Sequence, residues 1–383
     1  MKRLEVSKIT CIADVRLTAR LEAEADRMGL RETYSERGKQ VALQARPFWQ
    51  PFGRRFLLME APSDLIRFYV PRRHELAAMA RLAASADLFL PGRGSLFAED
   101  AEVVGEDFNL WDEGRLCADP PAWAAANHLQ PAPYEQIFCI LPRGRGGELA
   151  RTLLEMGLGV PIVSYGEGMG MRDRLGLLRI AIPQEKEILW LLVPPGDADF
   201  VVDVAIRKGN LREPGNGFIG RVPVRALAVN ARMNLDRRRH VATMEQVIST
   251  LDQLRGSTDW RRMSAAARPR STAGHEERIH FTLVCEEGTA AGIVRAALDA
   301  GAGGATLSRL SLRAPEPRDG KRETEEDEEV AMSSHARECC DLVVPARLRA
   351  RLEEAVAASG LFAEPANGHL EIDPVHDPLA ANG

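Results

Sequence analysis

Apolar residues recur along this chain in two rhythms that follow one another. Short strand-like runs come first, such as Lys8-Ile9-Thr10-Cys11-Ile12-Ala13. They give way to stretches with apolar residues three and four apart, such as Leu149, Leu153, Leu154 and Met156. The first rhythm suits an extended strand with a buried face, and the second suits an amphipathic helix. The succession occurs three times. Thr18 to Met28-Gly29 follows the first run. Gln136-Ile137-Phe138-Cys139-Ile140-Leu141 precedes a helix from Gly147 to Met156-Gly157. Ile279-His280-Phe281-Thr282-Leu283-Val284-Cys285 precedes one from Thr289 to Ala300-Gly301. Each helix pattern stops at a glycine, the residue best suited to a left-handed helix end. Cys11 lies 29 − 11 = 18 positions before its glycine and Cys139 lies 157 − 139 = 18 before its own. Cys285 is two positions off that register, which leaves it on the same strand face.

The second half of each copy is also shared. Leu65-Ile66-Arg67-Phe68-Tyr69-Val70-Pro71, Glu187 to Val193-Pro194 and Glu338 to Val344-Pro345 read as strands that end in Val-Pro. Proline is tolerated where a helix begins because its missing N–H has no partner there anyway. Helices are predicted over Leu76 to Ala86, Phe200 to Arg207 and Leu348 to Ser359. Each is followed by a Pro-x-x-Gly turn and a closing strand: Pro91-Gly92-Arg93-Gly94, Pro214-Gly215-Asn216-Gly217 and Pro365-Ala366-Asn367-Gly368. The order β-α-β-β-α-β, three times over, is the split ferredoxin-like plan.

This predicts an α+β chain with a unit at 1–108, a connector at 109–133, a unit at 134–235, a helical connector and linker at 236–275, and a third unit at 276–383. Glu106 to Pro133 reads as an ordered loop or a short helix draped on the surface. Val241, Met244, Val247, Ile248, Leu251 and Leu254 fall at helical spacing, and Ala265 to Glu277 reads as a flexible linker. The acidic run Glu323 to Glu329 reads as a solvated loop inside the third unit.

With 383 residues, 45% hydrophobic and 27% charged, the composition is that of an ordinary globular protein. A net charge of −5 excludes a strong basic field for nucleic acid. The six cysteines form no CxxC and no zinc-like spacing, which points to a reducing cytoplasm. The opening residues read as neither a signal nor a transit peptide, and Ile188 to Pro195 is too short to cross a bilayer.

The second unit, Tyr134 to Arg232, resembles the PII family of nitrogen and carbon signalling proteins, above all its divergent PII-like members. The residues that carry this are Tyr165-Gly166-Glu167-Gly168, Arg172-Asp173-Arg174-Leu175-Gly176, Ile182 to Glu187, and Pro214-Gly215-Asn216-Gly217-Phe218-Ile219-Gly220. The resemblance implies a trimer-forming unit with an exposed T-loop for target proteins, here about Tyr165 to Ile182. It also implies a B-loop, here Leu211 to Gly217, that cradles ATP or ADP between neighbours. Three copies in one chain then imply a monomeric pseudo-trimer.

On this reading the ligand-binding residues are Pro214, Gly215, Asn216, Gly217, Pro91, Gly92 and Gly94. Gly166, Gly168, Arg172, Arg174 and Lys186 are candidate T-loop or anion contacts. Two close glycines let backbone N–H groups converge on an anion. The family's phosphate-binding lysine position holds Phe218, and only Arg232 lies near its arginine positions. An adenine nucleotide (ATP, ADP or AMP) and bicarbonate therefore both fit as the small anionic metabolite. Ala366 replaces a glycine in the third unit, so that site is expected to be degenerate. Tyr165, at the start of the loop, is expected to pack.

No HExxH, Walker loop or GxSxG is present, and the eight histidines do not cluster. Cys11 and Cys139 read as inert core thiols. The reading is a cytoplasmic, non-enzymatic sensor that controls a target protein such as a membrane transporter. The alternatives are a scaffold of the same fold with its ligand sites lost, and an enzyme on a ferredoxin-like frame.

Overall fold

The computed structural model describes residues 1–45, 56–88, 93–106, 110–116, 129–130, 134–169, 185–213, 215–228, 277–315 and 332–376. The chain is α+β, with six helices among these residues and strands that pair antiparallel throughout. In the first unit the elements are β1 (Lys2–Asp14), α1 (Thr18–Arg27), β2 (Thr33–Ala45), β3 (Phe56–Val70), α2 (Glu75–Ser85) and β4 (Gly94–Gly105). A short β5 (Leu129–Gln130) leads to the second: β6 (Tyr134–Pro142), α3 (Arg145–Glu155), β7 (Ile162–Met169), β8 (Glu185–Val193), α4 (Pro195–Gly209), β9 (Phe218–Val224) and β10 (Ala226–Ala228). The third has β11 (Arg278–Glu286), α5 (Ala290–Asp299), β12 (Ala305–Pro315), β13 (Met332–Pro345), α6 (Arg349–Ala358) and β14 (His369–Val375).

Strand order in each unit is fourth-first-third-second: β4-β1-β3-β2, β9-β6-β8-β7 and β14-β11-β13-β12. The stop glycines adopt the left-handed conformation expected of them, with φ of +77° at Gly29, +73° at Gly157 and +111° at Gly301. The three ends are closed alike. Leu30, Leu158 and Ala302 each donate back to the carbonyl five residues earlier, at 2.9, 3.0 and 3.1 Å. Pro71 and Pro345 precede one 3-10 turn before their helices begin. In the second unit Pro195 itself opens α4, so the helix starts before the Phe200 that periodicity marked.

The apolar face of each sheet is covered by its own two helices. Ile9, Cys11, Ile66 and Phe68 pack with Leu21, Met79 and Leu82. Ile137, Cys139, Leu189 and Leu191 pack with Leu149, Leu153 and Val201. Phe281, Leu283, Cys340 and Leu342 pack with Ile293, Val294 and Leu352. Burying each such side chain contributes about 1.5–3 kcal/mol.

The units join edge to edge. Each second strand pairs with both of the others: Lys39 of β2 lies opposite Val163 of β7, Gly168 of β7 opposite Thr306 of β12, and Ser311 of β12 opposite Ser35 of β2. The fourth strands meet in the reverse circular order. The end of β4 pairs with the start of β14 through Val103 and Glu371, β10 pairs with the start of β4 through Leu227 and Phe97, and His376 bridges Arg221 in the middle of β9. The sheet thus closes on itself, and none of these edges is left as an open template. The ends of strands also enter neighbouring cores, Val41 of β2 in the second and Val104 of β4 in the third.

Of the connector expected as a loop or short helix, residues 110–116 lie as a turn on the first unit, where Leu110 O accepts from Arg31 N–H and Asp112 N–H donates to Gly29 O; residues 107–109, 117–128 and 131–133 lie outside the described residues. β5 pairs with β10. The helical pattern over 241–254, the acidic run and nearly all of the 265–277 linker lie outside the described residues.

Candidate functional site

The turn glycines stand where the closing strand of each unit meets its first strand. Gly217 has φ +124°, and a Cβ there would sit 1.8 Å from the Ile140 carbonyl oxygen. The same atom on Gly94 would lie 2.3 Å from the Ile12 oxygen, and on Gly368 2.4 Å from the Val284 oxygen. The recurrence read as an anion nest therefore has a packing cause in all three units, including the one expected to be degenerate. The turn also uses its own polar groups. Asn216 N–H donates to Glu213 O at 3.2 Å, and the Asn216 amide donates to Asn210 O at 3.1 Å, tying the turn to the end of α4. Gly368 N–H donates to Leu361 O at 2.8 Å. Gly215 is left-handed with φ +88°. Pro91, Gly92 and Pro214 lie outside the described residues, as do Arg172 and Arg174.

The remaining T-loop candidates are strand residues. Gly166 and Gly168 lie within β7, which runs on to Met169, past the expected loop start at Tyr165. A Cβ on Gly166 would meet the Leu307 oxygen at 2.8 Å, so glycine there lets β12 approach. Lys186 is buried in β8 opposite Pro142, not presented from a loop. Tyr165 is 48% exposed instead of packed, with the Lys39 ammonium 5.7 Å from its ring centre. Cys11 and Cys139 are buried with their thiol pKa values pushed up by desolvation, in keeping with inert core thiols.

The second face of the three sheets turns inward, and there the sequence reading missed a cluster of buried charges. Lys8 of β1 is hydrogen-bonded to Asp373 of β14 and stands 3.7 Å from Glu371 and 3.9 Å from Glu99. His280 of β11 lies between two carboxylates, its Nε2 2.9 Å from Asp341 and its Nδ1 3.7 Å from Asp373. Arg67 of β3 donates to Glu36 of β2 at 3.0 Å, and Tyr69 donates to Glu371. Thr282 donates to Asp341 at 3.0 Å. One wall of this interior is apolar and comes from the second unit: Phe138 stacks on the His280 ring at 5.3 Å, and the Arg67 guanidinium lies 5.9 Å over Trp190.

The distribution breaks the threefold plan. Lys8 faces Glu99 across its fourth-strand pairing and His280 faces Asp373, while the corresponding second-unit pair is Gln136 and Val222. In a symmetric trimer of identical units each axial residue would meet two copies of itself, so three lysines or three aspartates would converge. A single chain can place a lysine against an aspartate instead. Such pairing is required, because an uncompensated charge in the interior costs several kcal/mol.

Protonation follows from these neighbours. Burial alone would lower the His280 pKa, but hydrogen bonds and charges from Asp341 and Asp373 outweigh it and raise the value to about 9. Burial pushes Glu99 up to about 7, against a partial pull from Lys8 and with a further push from Asp373. Glu371 is held well below the usual carboxylate range: burial opposes this, and His369, Lys8 and Arg67 prevail. Asp341 is also lowered, with His280, Arg67 and Thr282 outweighing burial. Burial keeps the side chains of the cluster from an outside substrate. Lys8, Arg67, His280, Asp341, Glu371 and Asp373 each sit between apolar or small neighbours on strands, a pattern that a solvated second face would show equally well.

Ion pairs outside the interior tie the units together. Glu102 at the end of β4 accepts from Arg349 of α6 at 2.6 Å, and Arg3 pairs with Glu102 and Glu353. Arg225, at the end of the second unit's closing strand, holds Asp100 at 2.7 Å and Glu75 of α2 at 3.3 Å. Glu102 and Arg225 both lie eight positions after their turn glycines (94 + 8 = 102 and 217 + 8 = 225). The same position thus carries opposite charges toward different neighbours. Among the described residues no group of three or more His, Cys, Asp or Glu side chains could hold a metal ion. No described helix is long and apolar enough to cross a membrane.

No family model and no curated protein matches the chain. Among solved structures it is similar to the aspartate kinase from Synechocystis, at 8% identity and a TM-score of 0.19, over 95% of this chain and 43% of that one. The chain thus spans under half of that kinase, at a score where unrelated folds also overlap.

Proposed function

We propose that this chain is a ligand-sensing regulatory protein of the PII-like type, a single-chain pseudo-trimer that acts by binding and not by catalysis. The observation that carries the reading is the mutual pairing of β2, β7 and β12. The segments that join the second strand to the third in each unit spring from strands gathered round one axis. They are the counterparts of T-loops, and their proposed role is contact with a target protein such as a membrane transporter. The clefts between units are the proposed place for a small anionic metabolite, an adenine nucleotide or bicarbonate.

The test is a thermal-shift series with ATP, ADP, AMP and bicarbonate, followed by calorimetry on any that act. A ligand that prefers the folded chain raises its midpoint in proportion to RT ln(1 + [L]/Kd). A concentration-dependent rise with one of the four supports the sensor. Flat midpoints with all four favour the second reading, a scaffold of the same plan. That reading draws on the turns, whose N–H groups at Asn216 and Gly368 are already bonded to backbone carbonyls.

A further inference from the structure

We propose that the interior between β1, β4 and β14 is a proton-binding joint. Glu99 carries a proton while the first and third units are closed on each other, and loss of that proton loosens their shared seam. The inference is independent of the ligand reading.

The argument begins with a count of charges. Lys8, Arg67 and His280 are buried cations of the cluster, and the His369 imidazole stands 3.5 Å from Glu371. Glu36, Glu99, Asp341, Glu371 and Asp373 are its buried carboxyl groups, five in number. Glu36 has Arg67, Asp341 has His280 and Thr282, and Glu371 has Tyr69. Lys8 is committed to Asp373, which leaves Glu99 3.9 Å from the ammonium. Glu99 Oε1 and Asp373 Oδ1 are both fully buried with no hydrogen-bond partner. These two orphaned oxygens belong to facing strands of different units. A proton taken from water onto the Glu99 carboxylate yields a neutral carboxyl whose O–H can donate. That proton removes a surplus charge beside Asp373, whose carboxylate acts on Glu99 through its charge.

The seam itself is short. β4 and β14 pair through Val104 and Leu370, Val103 and Glu371, and Glu102 and Ile372. The other groups that face Glu99 are fixed. β1 brings Lys8, β3 brings Arg67 and Tyr69, and β11 brings His280. β13 brings Asp341, and β14 brings His369, Glu371 and Asp373. β9 contributes Val222 and Val224 to the interior, its Arg221 being paired outside with Glu135 and Asp199. Of these groups Lys8, Arg67 and His280 act on Glu99 with positive charge, and His369 lies against Glu371. An ionised Glu99 would thus add a third carboxylate around one ammonium.

The sign of the effect is set by the raised carboxyl. Its unfolded value is 4.5 and its folded value about 7. The folded state binds the proton more tightly, so folding takes up a proton between those values and stability falls as pH rises through that window, then levels off. The His280 contribution changes later, between 6.5 and about 9.

The experiment follows the unfolding midpoint of the full chain from about pH 5 to about pH 8, in wild type and in Glu99→Gln. The amide keeps the size of the protonated carboxyl and its donor. The expected result is a midpoint that falls with pH below neutrality in wild type, a flat Glu99→Gln profile in the same window, and a variant more stable than wild type above pH 7. Parallel profiles would overturn the proposal. Should the variant not fold, calorimetric unfolding of wild type at about pH 6, in buffers of differing ionisation heat, counts the protons released. Close to one is expected, and a count near zero, as buried water at the two oxygens would give, overturns it. Hydrogen exchange at Val104 and Ile372, corrected for the intrinsic pH dependence, reads the seam. Protection lost as pH rises in wild type and kept in Glu99→Gln is expected, while unchanged protection in wild type removes the joint.

Discussion

Lys8, in β1, is hydrogen-bonded to Asp373, in the last described strand, across 365 positions of sequence. The pair lies in the closed interior where the first and third units meet, and Glu371 and Glu99 share the same ammonium. It joins the first and third units alongside the β4–β14 pairing and the Arg3–Glu353 ion pair.

Removing that ammonium leaves three carboxyl groups without their common partner. Lys8→Met is expected to destabilise the fold by roughly 3–5 kcal/mol, the usual cost of breaking a buried pair from one side. Asp373→Asn in the Lys8→Met background is expected to cost less than the sum of the two single changes, because each alone leaves a charge stranded. Denaturant unfolding of the two single variants and the double variant reads the coupling.

The three turn glycines are expected to behave alike. Gly94→Val, Gly217→Val and Gly368→Val each drive a Cβ into a first-strand carbonyl oxygen. A loss of about 3 kcal/mol or more, or failure to fold, is expected at each, from overpacking together with backbone strain at the positive-φ sites. Expression and thermal midpoints check this. A variant at full stability in any unit would mean that its turn is free to move.

The seams carry opposite polarities, and swapping one is expected to be reversible. Glu102→Arg places like charges beside Arg349 and Arg3. A cost of about 1 kcal/mol is expected, since these side chains are partly exposed and screened by water. Arg349→Glu in the same chain should recover part of it, and added salt should shrink the difference. Equal midpoints in low and high salt would show that charge plays no part in the seam.

The His280 imidazolium gives a second pH dependence, above neutrality. Its folded pKa, about 9, exceeds the ordinary 6.5. Its contribution is therefore complete below 6.5 and is lost as pH rises to about 9, with a size of about 3 kcal/mol for a fully buried group. His280→Gln should flatten that upper window and leave the lower one unchanged. The comparison is made by denaturant unfolding at pH 6, 8 and 9.5, values chosen at roughly the edges and middle of the titration.

Much of the fold was legible because its signals are local. The stop glycines Gly29, Gly157 and Gly301, the Val-Pro strand ends and the helix periodicities all act within a few residues, and the elements stand where they predicted. One exception has a local cause and the other a distant one. Pro195 opens α4 early, and Gly166 and Gly168 extend β7 because β12 lies against them. The site was less legible. Gly94, Gly217 and Gly368 each lie against a first-strand carbonyl oxygen, and a Pro-x-x-Gly turn looks the same whether it serves a ligand or close packing.

The sequence by itself determined the secondary elements, their order and the apolar face of each strand, since alternation along a strand needs no knowledge of the partner. It also fixed the threefold recurrence, as periodicity and turn chemistry repeat within each copy. Only the tertiary structure decided what the second face of each strand meets. A charged residue such as Lys8 or Glu371 at an alternate strand position suits solvent equally well, and its burial depends on three sheets closing round one interior. Closure pairs edges that lie hundreds of residues apart, and in that interior the demand for neutrality sets Lys8 against Asp373 and leaves Glu99 as the surplus carboxyl group.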